Sequence, residues 1–572
     1  MNILLTAINA KYIHSNLAVY SLRACAGEYR DAVELAEYTI NNQKDYILEE
    51  LYKRKPDVLC FSCYIWNIDY VTDIAREYKK LCPSVPIWVG GPEVSYEVEA
   101  FLRENPYIDG VMIGEGEDTF RELCGYYAHK RKLSDIAGIA FRKNSTGNST
   151  SVNNIGGNKA GEIVFTSPRP IKNMSEIPFC YDTLDDFSNR IIYYESSRGC
   201  PFSCSYCLSS VDKTLRFRDT ENVKRELKFF IDQKVPQIKF VDRTFNCNHA
   251  HAMELWRFIK ANDNGVTNFH FEISADLLNQ EELELISDMR PGLIQLEIGV
   301  QSTNEVTIKE IHRTMKLERL KEVVRLIQSG NNIHEHLDLI AGLPYEDYYS
   351  FGRSFDEIYE LKPNQLQLGF LKVLKGSYMF EHATEYGIVY HDKPPYEVMS
   401  TKWLSFDDVI KIKRVEEMLE VYYNSGQFEI TMKLMECIFD SAFEFFQELG
   451  DFYEANGYFG MSHSRIRRCE ILLEFLALYL HGCDSDAITS VVLSENAVDR
   501  ENTDCDEHAI DRENAGENTD FDENAQIYSM IQESLIFDLY YRENCKSRPV
   551  WALFHYDMRD PLDHQALVEY IE

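Results

Sequence analysis

The chain has 572 residues, enough for three or four domains of ordinary size, and its apolar fraction of 45% is that of a globular protein. A formal net charge of −34 argues against a large nucleic-acid-binding face, because phosphate recognition needs clustered Lys and Arg. No uncharged apolar run is long enough to cross a bilayer, and Met1 to Asn16 carry neither a basic leader nor a small-residue cleavage site, so a soluble, cytoplasmic protein without a membrane partner is expected.

Residues 1–130 alternate short β-branched or aromatic runs with amphipathic stretches. Strands are predicted at Asn2–Ile8, Val33–Tyr38, Val58–Tyr64, Ile87–Val89 and Gly110–Ile113, with helical spacing at Asn16–Glu28, Asp45–Lys53 and Tyr70–Leu81. The fold class is α/β, beginning with a doubly wound, Rossmann-like domain. Residues 131–184 read as a hairpin (Ile136–Phe141, Glu162–Phe165) and linker, with a Ser, Asn, Gly and Thr-rich surface excursion at Asn144–Asn158.

Residues 185–405 contain six further βα units, with strands at Ile191–Ser196, Gln237–Val241, Phe269–Ser274, Leu293–Val300, His336–Ala341 and Gln365–Leu371. These suggest a partial, TIM-like β/α barrel whose reactive face lies at the strand C-termini. Residues 406–572 read as a mostly α-helical domain whose aromatic residues, among them Tyr422, Phe428, Phe443, Phe446 and Tyr453, have core spacing. Within it, residues 485–525 are expected to lack order, since Glu495 to Glu523 hold twelve acids against two Arg. A helix at Gln526–Tyr541 and a tail containing Val550–Tyr556 follow.

Fifteen cysteines in a signal-less chain are expected to stay reduced. Cys25, Cys124, Cys180 and Cys437 stand singly among apolar residues, and Cys60 and Cys63 fall on a predicted interior strand, so all read as small core residues. Cys200, Cys204 and Cys207 differ. Their C-x3-C-x2-C spacing at the exit of the first predicted barrel strand can place three thiolates around a cubane, leaving the fourth iron open to chelate a small molecule. A zinc site is the rival reading, although structural zinc wants a fourth ligand and no partner motif follows nearby.

This motif in this context resembles the radical S-adenosylmethionine (SAM) superfamily, over about residues 191–371. The resemblance implies a 4Fe-4S cluster on Cys200, Cys204 and Cys207, with SAM on its open iron and the aromatic Tyr206 before the third cysteine among the SAM-binding residues. Phe240-Val-Asp-Arg-Thr-Phe-Asn246 is similar to the superfamily's second-strand segment, which implies that Asp242 contacts the SAM amino group. Glu297-Ile-Gly-Val-Gln301 and Arg313 look like the segment that approaches its ribose and carboxylate, and Gly342 like the glycine that lets backbone approach adenine.

Val89-Gly90-Gly91-Pro92 and Ile113-Gly114-Glu115-Gly116-Glu117 each follow a predicted strand, where glycine admits a ligand to the backbone. Placed before such a core, they resemble the cobalamin-binding domain of one radical SAM subgroup, and the resemblance implies a cobalamin face lined by Asn9, His14, Ser62, Gly90, Gly91 and Glu115. The D-x-H-x-x-G motif that supplies an axial histidine is absent, which leaves the lower face unligated or served by His14. The order of domains is similar to an uncharacterised bacterial family with a helical C-terminal extension.

The expected function is reductive cleavage of SAM to a 5′-deoxyadenosyl radical, with cobalamin-dependent methyl transfer to an unactivated carbon of an unknown substrate. Flavodoxin or ferredoxin is the expected reductant. Two alternatives stay open: a rearrangement or sulfur-insertion enzyme with a vestigial cobalamin domain, and a metal-stabilised, non-catalytic interaction protein.

Overall fold

The computed structural model of the chain describes residues 1–143, 161–481 and 519–542. The expected excursion at Asn144–Asn158, the acidic stretch up to residue 518 and the tail at Val550–Tyr556 lie outside the described residues. The chain forms two compact units, Met1–Asp347 with Gly369–Ser405, and Tyr348–Leu368 with Phe406–Glu572.

The first unit begins with the doubly wound sheet. Strands β1 (Ile3–Asn9), β2 (Val33–Thr39), β3 (Val58–Ser62), β4 (Ile87–Gly90) and β5 (Gly110–Met112) run parallel in the order β2-β1-β3-β4-β5. Helices α1 (Leu17–Cys25), α2 (Lys44–Arg54), α3 (Ile68–Leu81), α4 (Val98–Glu104) and α5 (Glu117–Tyr127) connect them. With both faces covered, every residue of β1 is buried. Period-two alternation divides them: Leu4 and Ile8 pack with Phe61, Cys63, Ile74 and Tyr78, whereas Ile3, Leu5 and Ala7 pack with Cys60, Trp88 and Phe120. Cys60 and Cys63 are thus core residues on opposite faces.

The hairpin expected within a linker joins this sheet instead. Strand β6 (Ile139–Arg142) runs antiparallel to β5 and β7 (Ile163–Phe165) antiparallel to β6. The unpaired edge of β5 draws it in, because exposed strand hydrogen-bonding groups need partners. Since β2 and β3 flank β1 on opposite sides, a crevice opens beyond the carboxyl ends of β1 and β3.

The second sheet follows β8 (Ile192–Tyr194) and a short hairpin, β9 (Ser197–Arg198) with β10 (Arg216–Phe217), that brackets the cysteines. Strands β11 (Gln237–Phe240), β12 (Asn268–Ile273), β13 (Ile294–Gln301) and β14 (His334–Ala341) continue it in parallel, with β15 (Gln365–Phe370), where the chain returns to the first unit, at its end. Helices α6 (Thr220–Asp232), α7 (His249–Ala261), α8 (Gln280–Ser287), α9 (Glu305–Glu310) and α10 (Leu317–Ser329) intervene. Along β13, Ile294, Leu296, Ile298 and Val300 are buried, while Gln295, Glu297, Gly299 and Gln301 occupy the more open face. One face therefore builds the core and the other lines a polar hollow.

In the second unit, α11 (Tyr348–Tyr359) packs against α14 (Ala442–Ala455) through Phe355, Tyr359, Phe443 and Phe446. Three further helices are α12 (Phe406–Leu419), α13 (Glu429–Ile438) and α15 (Arg465–His481). Tyr422, Phe428 and Tyr453 are buried, as core spacing predicts. The last helix, α16, spans Thr519–Arg542, so the end of the stretch expected to lack order is helical. Buried Tyr528, Ile531, Leu535 and Leu539 anchor it, and elongation from an anchored helix adds one backbone bond per residue.

Gly91 has φ +124 and ψ 173, a region nearly reserved for glycine, and an added Cβ would lie 2.3 Å from the Cys63 carbonyl oxygen. Gly114 has φ +74 but open space around it. Gly91→Ala is therefore expected to cost more than about 2 kcal/mol and Gly114→Ala about 1 kcal/mol, read as the loss in denaturant midpoint.

Candidate functional site

Cys200, Cys204 and Cys207 sit on the loop between β9 and β10, Cys200 and Cys204 buried and Cys207 half-buried. The Cys200 amide donates to the Asp212 carbonyl at 3.3 Å and the Cys207 amide to Cys204 at 3.2 Å, which folds the loop back on itself. Burial pushes the Cys200 thiol up, and the nearby Cys207 and Cys204 add to it. Buried thiols become thiolates when a cationic centre compensates them.

Among the described residues, no three or more His, Cys, Asp or Glu side chains converge as ligands of one ion do. A cubane takes three thiolates, each on a different iron, and leaves its fourth iron open. The donor set fits a 4Fe-4S cluster.

Asp242 is fully buried. Its carboxylate accepts from the Ser196 amide at 2.9 Å, the Ser196 hydroxyl at 2.6 Å and the Ser197 hydroxyl at 2.5 Å, so it fixes the entry to the cysteine loop. Burial pushes it up to about 6 against those hydrogen bonds. Arg313 reaches the loop from the far side, with Nη1 3.8 Å from Cys204 Sγ and 3.2 Å from the Tyr206 hydroxyl, and Nη2 donating to the Gly299 carbonyl.

Gln301 adopts φ +76, uncommon for a residue with a side chain, and its Oε1 is buried without a partner, as is Arg313 Nε. Such atoms cost free energy until something bonds them, and their place beside the cysteines fits the polar groups of SAM. At Gly342 a Cβ would meet Val398 Cγ1 at 2.6 Å, so the glycine makes room for a neighbouring strand.

Below these residues, Glu297 accepts from Lys239 Nζ at 2.8 Å and pairs with His270 Nε2 at 2.8 Å. Burial opposes its ionisation, but His270 and Lys239 prevail and hold the carboxyl at about 2. Two acids missed by the sequence reading line the same hollow. Burial raises Glu272 to about 7, and burial with the charges of Glu297 and Glu272 raises Asp338 well above the carboxylate range. Both lie at alternate positions of their strands, the period-two signal that could have found them.

In the N-terminal sheet, Asn9 Nδ2 donates to the His14 carbonyl and to Glu37, each at 3.0 Å, and Ser62 Oγ accepts from Asn16 at 3.3 Å. His14 docks on the edge of the second sheet. Its backbone bridges Ile191, its Nδ1 lies 2.7 Å from the Tyr193 hydroxyl, and Ser15 Oγ donates to the Ile191 carbonyl at 2.8 Å. That engagement takes Nδ1 away from metal ligation. Glu115 is ion-paired to Arg216 at 2.6 Å.

Gly90 and Gly91 end β4 beside the crevice, whose rim presents Tyr12 (63% exposed), Ile13 (45%) and Trp66 (42%). Trp66 stacks on Tyr64 at 4.4 Å, and the Tyr64 hydroxyl feels Glu195 and Arg243 of the second sheet. An apolar rim over glycine turns fits a large, flat ligand such as cobalamin. Aromatic residues just after predicted strand ends were the available signal.

Residues 3–124 match the model of the B12 binding domain, residues 194–358 that of the radical SAM superfamily, and residues 384–570 that of a protein of unknown function (DUF4080). The chain is 27% identical over 351 residues to the cobalamin-dependent radical SAM methyltransferase TokK of Streptomyces tokunonensis, covering 57% of this chain and 47% of that one. It is 23% identical over 337 residues to the anaerobic magnesium-protoporphyrin IX monomethyl ester cyclase of Rubrivivax gelatinosus, covering 56% and 57%. Among solved structures, the cobalamin-dependent SAM radical enzyme OxsB superposes with a TM-score of 0.58 at 16% identity, over 99% of this chain and 83% of that one. The chain spans less than half the length of the first curated relatives it matches. Among the described residues, no helix is long and apolar enough to cross a membrane.

Replacing Glu297 by Gln should remove up to about 3 kcal/mol at pH 7, the worth of its depressed pKa. Because the folded carboxyl titrates below its unfolded value of 4.5, that stability is full above pH 4.5 and lost as pH falls toward 2. Urea melts of both proteins should therefore converge across that window.

Three cysteines on one loop, orphaned polar atoms near it, a crevice beyond a doubly wound sheet and two domain matches agree: the chain carries a B12-binding domain at residues 3–124 and a radical SAM domain at residues 194–358.

Proposed function

We propose that the chain is a cobalamin-dependent radical SAM enzyme that transfers a methyl group to an unactivated carbon. The observation that carries this reading is the direct contact between loops at the carboxyl ends of the first sheet and the cysteine-bearing region, where Glu115 pairs with Arg216 at 2.6 Å, Glu117 accepts from Arg198 at 2.8 Å and His14 Nδ1 lies 2.7 Å from the Tyr193 hydroxyl. When bound, the cluster supplies the electron that cleaves SAM, and cobalamin supplies a methyl carrier.

The protein's own residues position and shield. Cys200, Cys204 and Cys207 hold the cluster through three irons, and Arg313 with Gln301 supplies donors and acceptors for SAM beside it. Asp242 fixes the loop entry through Ser196 and Ser197. Glu272 and Asp338, held near neutrality at pH 7 by burial, can each donate a hydrogen bond as well as accept one. Tyr12, Ile13 and Trp66 would cover the cobalamin ring from water. Such chemistry needs a one-electron reductant, for which flavodoxin or ferredoxin is our choice, and the reducing cytoplasm suits its free thiols.

Incubation of the reconstituted protein, cobalamin and dithionite with cell extract and methyl-labelled SAM tests the reading. Label transferred to a product, with 5′-deoxyadenosine formed alongside, supports it. 5′-Deoxyadenosine with no label transferred would assign the chain to rearrangement or ring formation instead.

A further inference from the structure

We propose that Glu115 and Glu117, which follow the last parallel strand of the B12-binding domain, are positioning residues for the cysteine loop rather than contacts to cobalamin. This inference rests on the radical SAM and B12-binding reading above. Both oxygens of Glu115 are engaged: Oε1 accepts from Arg216 Nη1 at 2.6 Å and lies 3.4 Å from Arg198 Nη1, and Oε2 accepts from the Lys172 amide at 3.1 Å. Glu117 Oε1 accepts from Arg198 Nη2 at 2.8 Å. Each oxygen of Glu115 thus has a protein partner.

The two arginines are direct partners across the hairpin that brackets the cysteines, Arg198 on β9 opposite Arg216 on β10. Arg198 stands two positions before Cys200, and its Nε and Nη2 also donate to Glu195 at 3.0 and 2.7 Å. Arg216 Nη2 donates to Asp212 Oδ2 at 3.0 Å, and the Asp212 carbonyl receives the Cys200 amide. A path of two charge-assisted bonds, Glu115 to Arg216 and Arg216 to Asp212, thus continues through one backbone hydrogen bond to the first ligand. A second runs from Glu117 through Arg198 to the backbone beside it.

The side chains of Glu115, Glu117, Arg198 and Arg216 are between 7% and 21% exposed, so solvent screens these pairs less than surface ones. Removing an acid leaves a guanidinium half-buried and underbonded, which costs more than a surface pair. Residues that hold ligands in place act on a metal centre through its stability and electronic structure. The clasp sets where the cluster stands opposite the B12-binding domain.

The test compares cluster-reconstituted, cobalamin-loaded wild type with the double variant Glu115→Gln and Glu117→Gln, and with Glu117→Asp. Three readouts apply: iron release to a ferrous chelator, the electron paramagnetic resonance spectrum of the reduced cluster, and hydroxocobalamin affinity by absorbance titration. The double variant should release iron about tenfold faster with a changed spectrum, cobalamin affinity should stay at the wild-type level, and Glu117→Asp should recover wild-type release. Weakened cobalamin affinity with unchanged iron release would overturn the proposal, as would variants that match wild type in all three. Should the double variant fail to fold, Arg216→Gln reads the same release rate with both acids retained, and a wild-type rate there overturns the proposal. A wild type that holds no reducible cluster would defeat the superfamily reading instead.

Discussion

The structure depends on holding three thiols together while leaving one iron position open. A fourth protein ligand would close the cluster, so the loop must be rigid through contacts that do not touch the vacancy. The protein braces it at its roots. Asp242 binds the entry through Ser196 and Ser197, Arg198 and Arg216 lock the hairpin, and Arg313 closes the far side against Cys204 and Tyr206.

Electrostatics follow from that constraint. The cysteine loop is surrounded by guanidinium groups whose charges are matched by Glu115, Glu117 and Glu195, while the hollow beneath holds the opposite arrangement. There Glu297 is satisfied by Lys239 and His270, while burial in an acidic neighbourhood raises Glu272 to about 7 and Asp338 well above the carboxylate range. Neutral acids offer hydrogen bonds to a bound molecule without repelling electrons delivered nearby.

The fold was legible wherever local periodicity carried it. All five parallel strands of the first sheet and all six of the second fall within two residues of the predicted segments, because strands buried on both faces or alternating on one leave a direct signature. The Cys200, Cys204 and Cys207 triplet was legible because covalent spacing alone restricts what three thiols can bind. Contacts between distant segments were not. Nothing in Gly342-Leu-Pro announces that Val398 fills the space beside the glycine, and nothing in Gly-Glu-Gly-Glu shows that its acids reach Arg198 and Arg216. The docking of His14 was hidden for the same reason, since its partner Tyr193 lies in another domain's strand.

The central claim is that Cys200, Cys204 and Cys207 carry a cluster with one iron open to SAM. Electron paramagnetic resonance of the anaerobically reconstituted, dithionite-reduced protein, recorded with and without SAM, tests it most directly. The account predicts a 4Fe-4S signal that changes on adding SAM and disappears when the three cysteines are replaced by alanine. Zinc in place of iron, or a cluster signal indifferent to SAM, would contradict it.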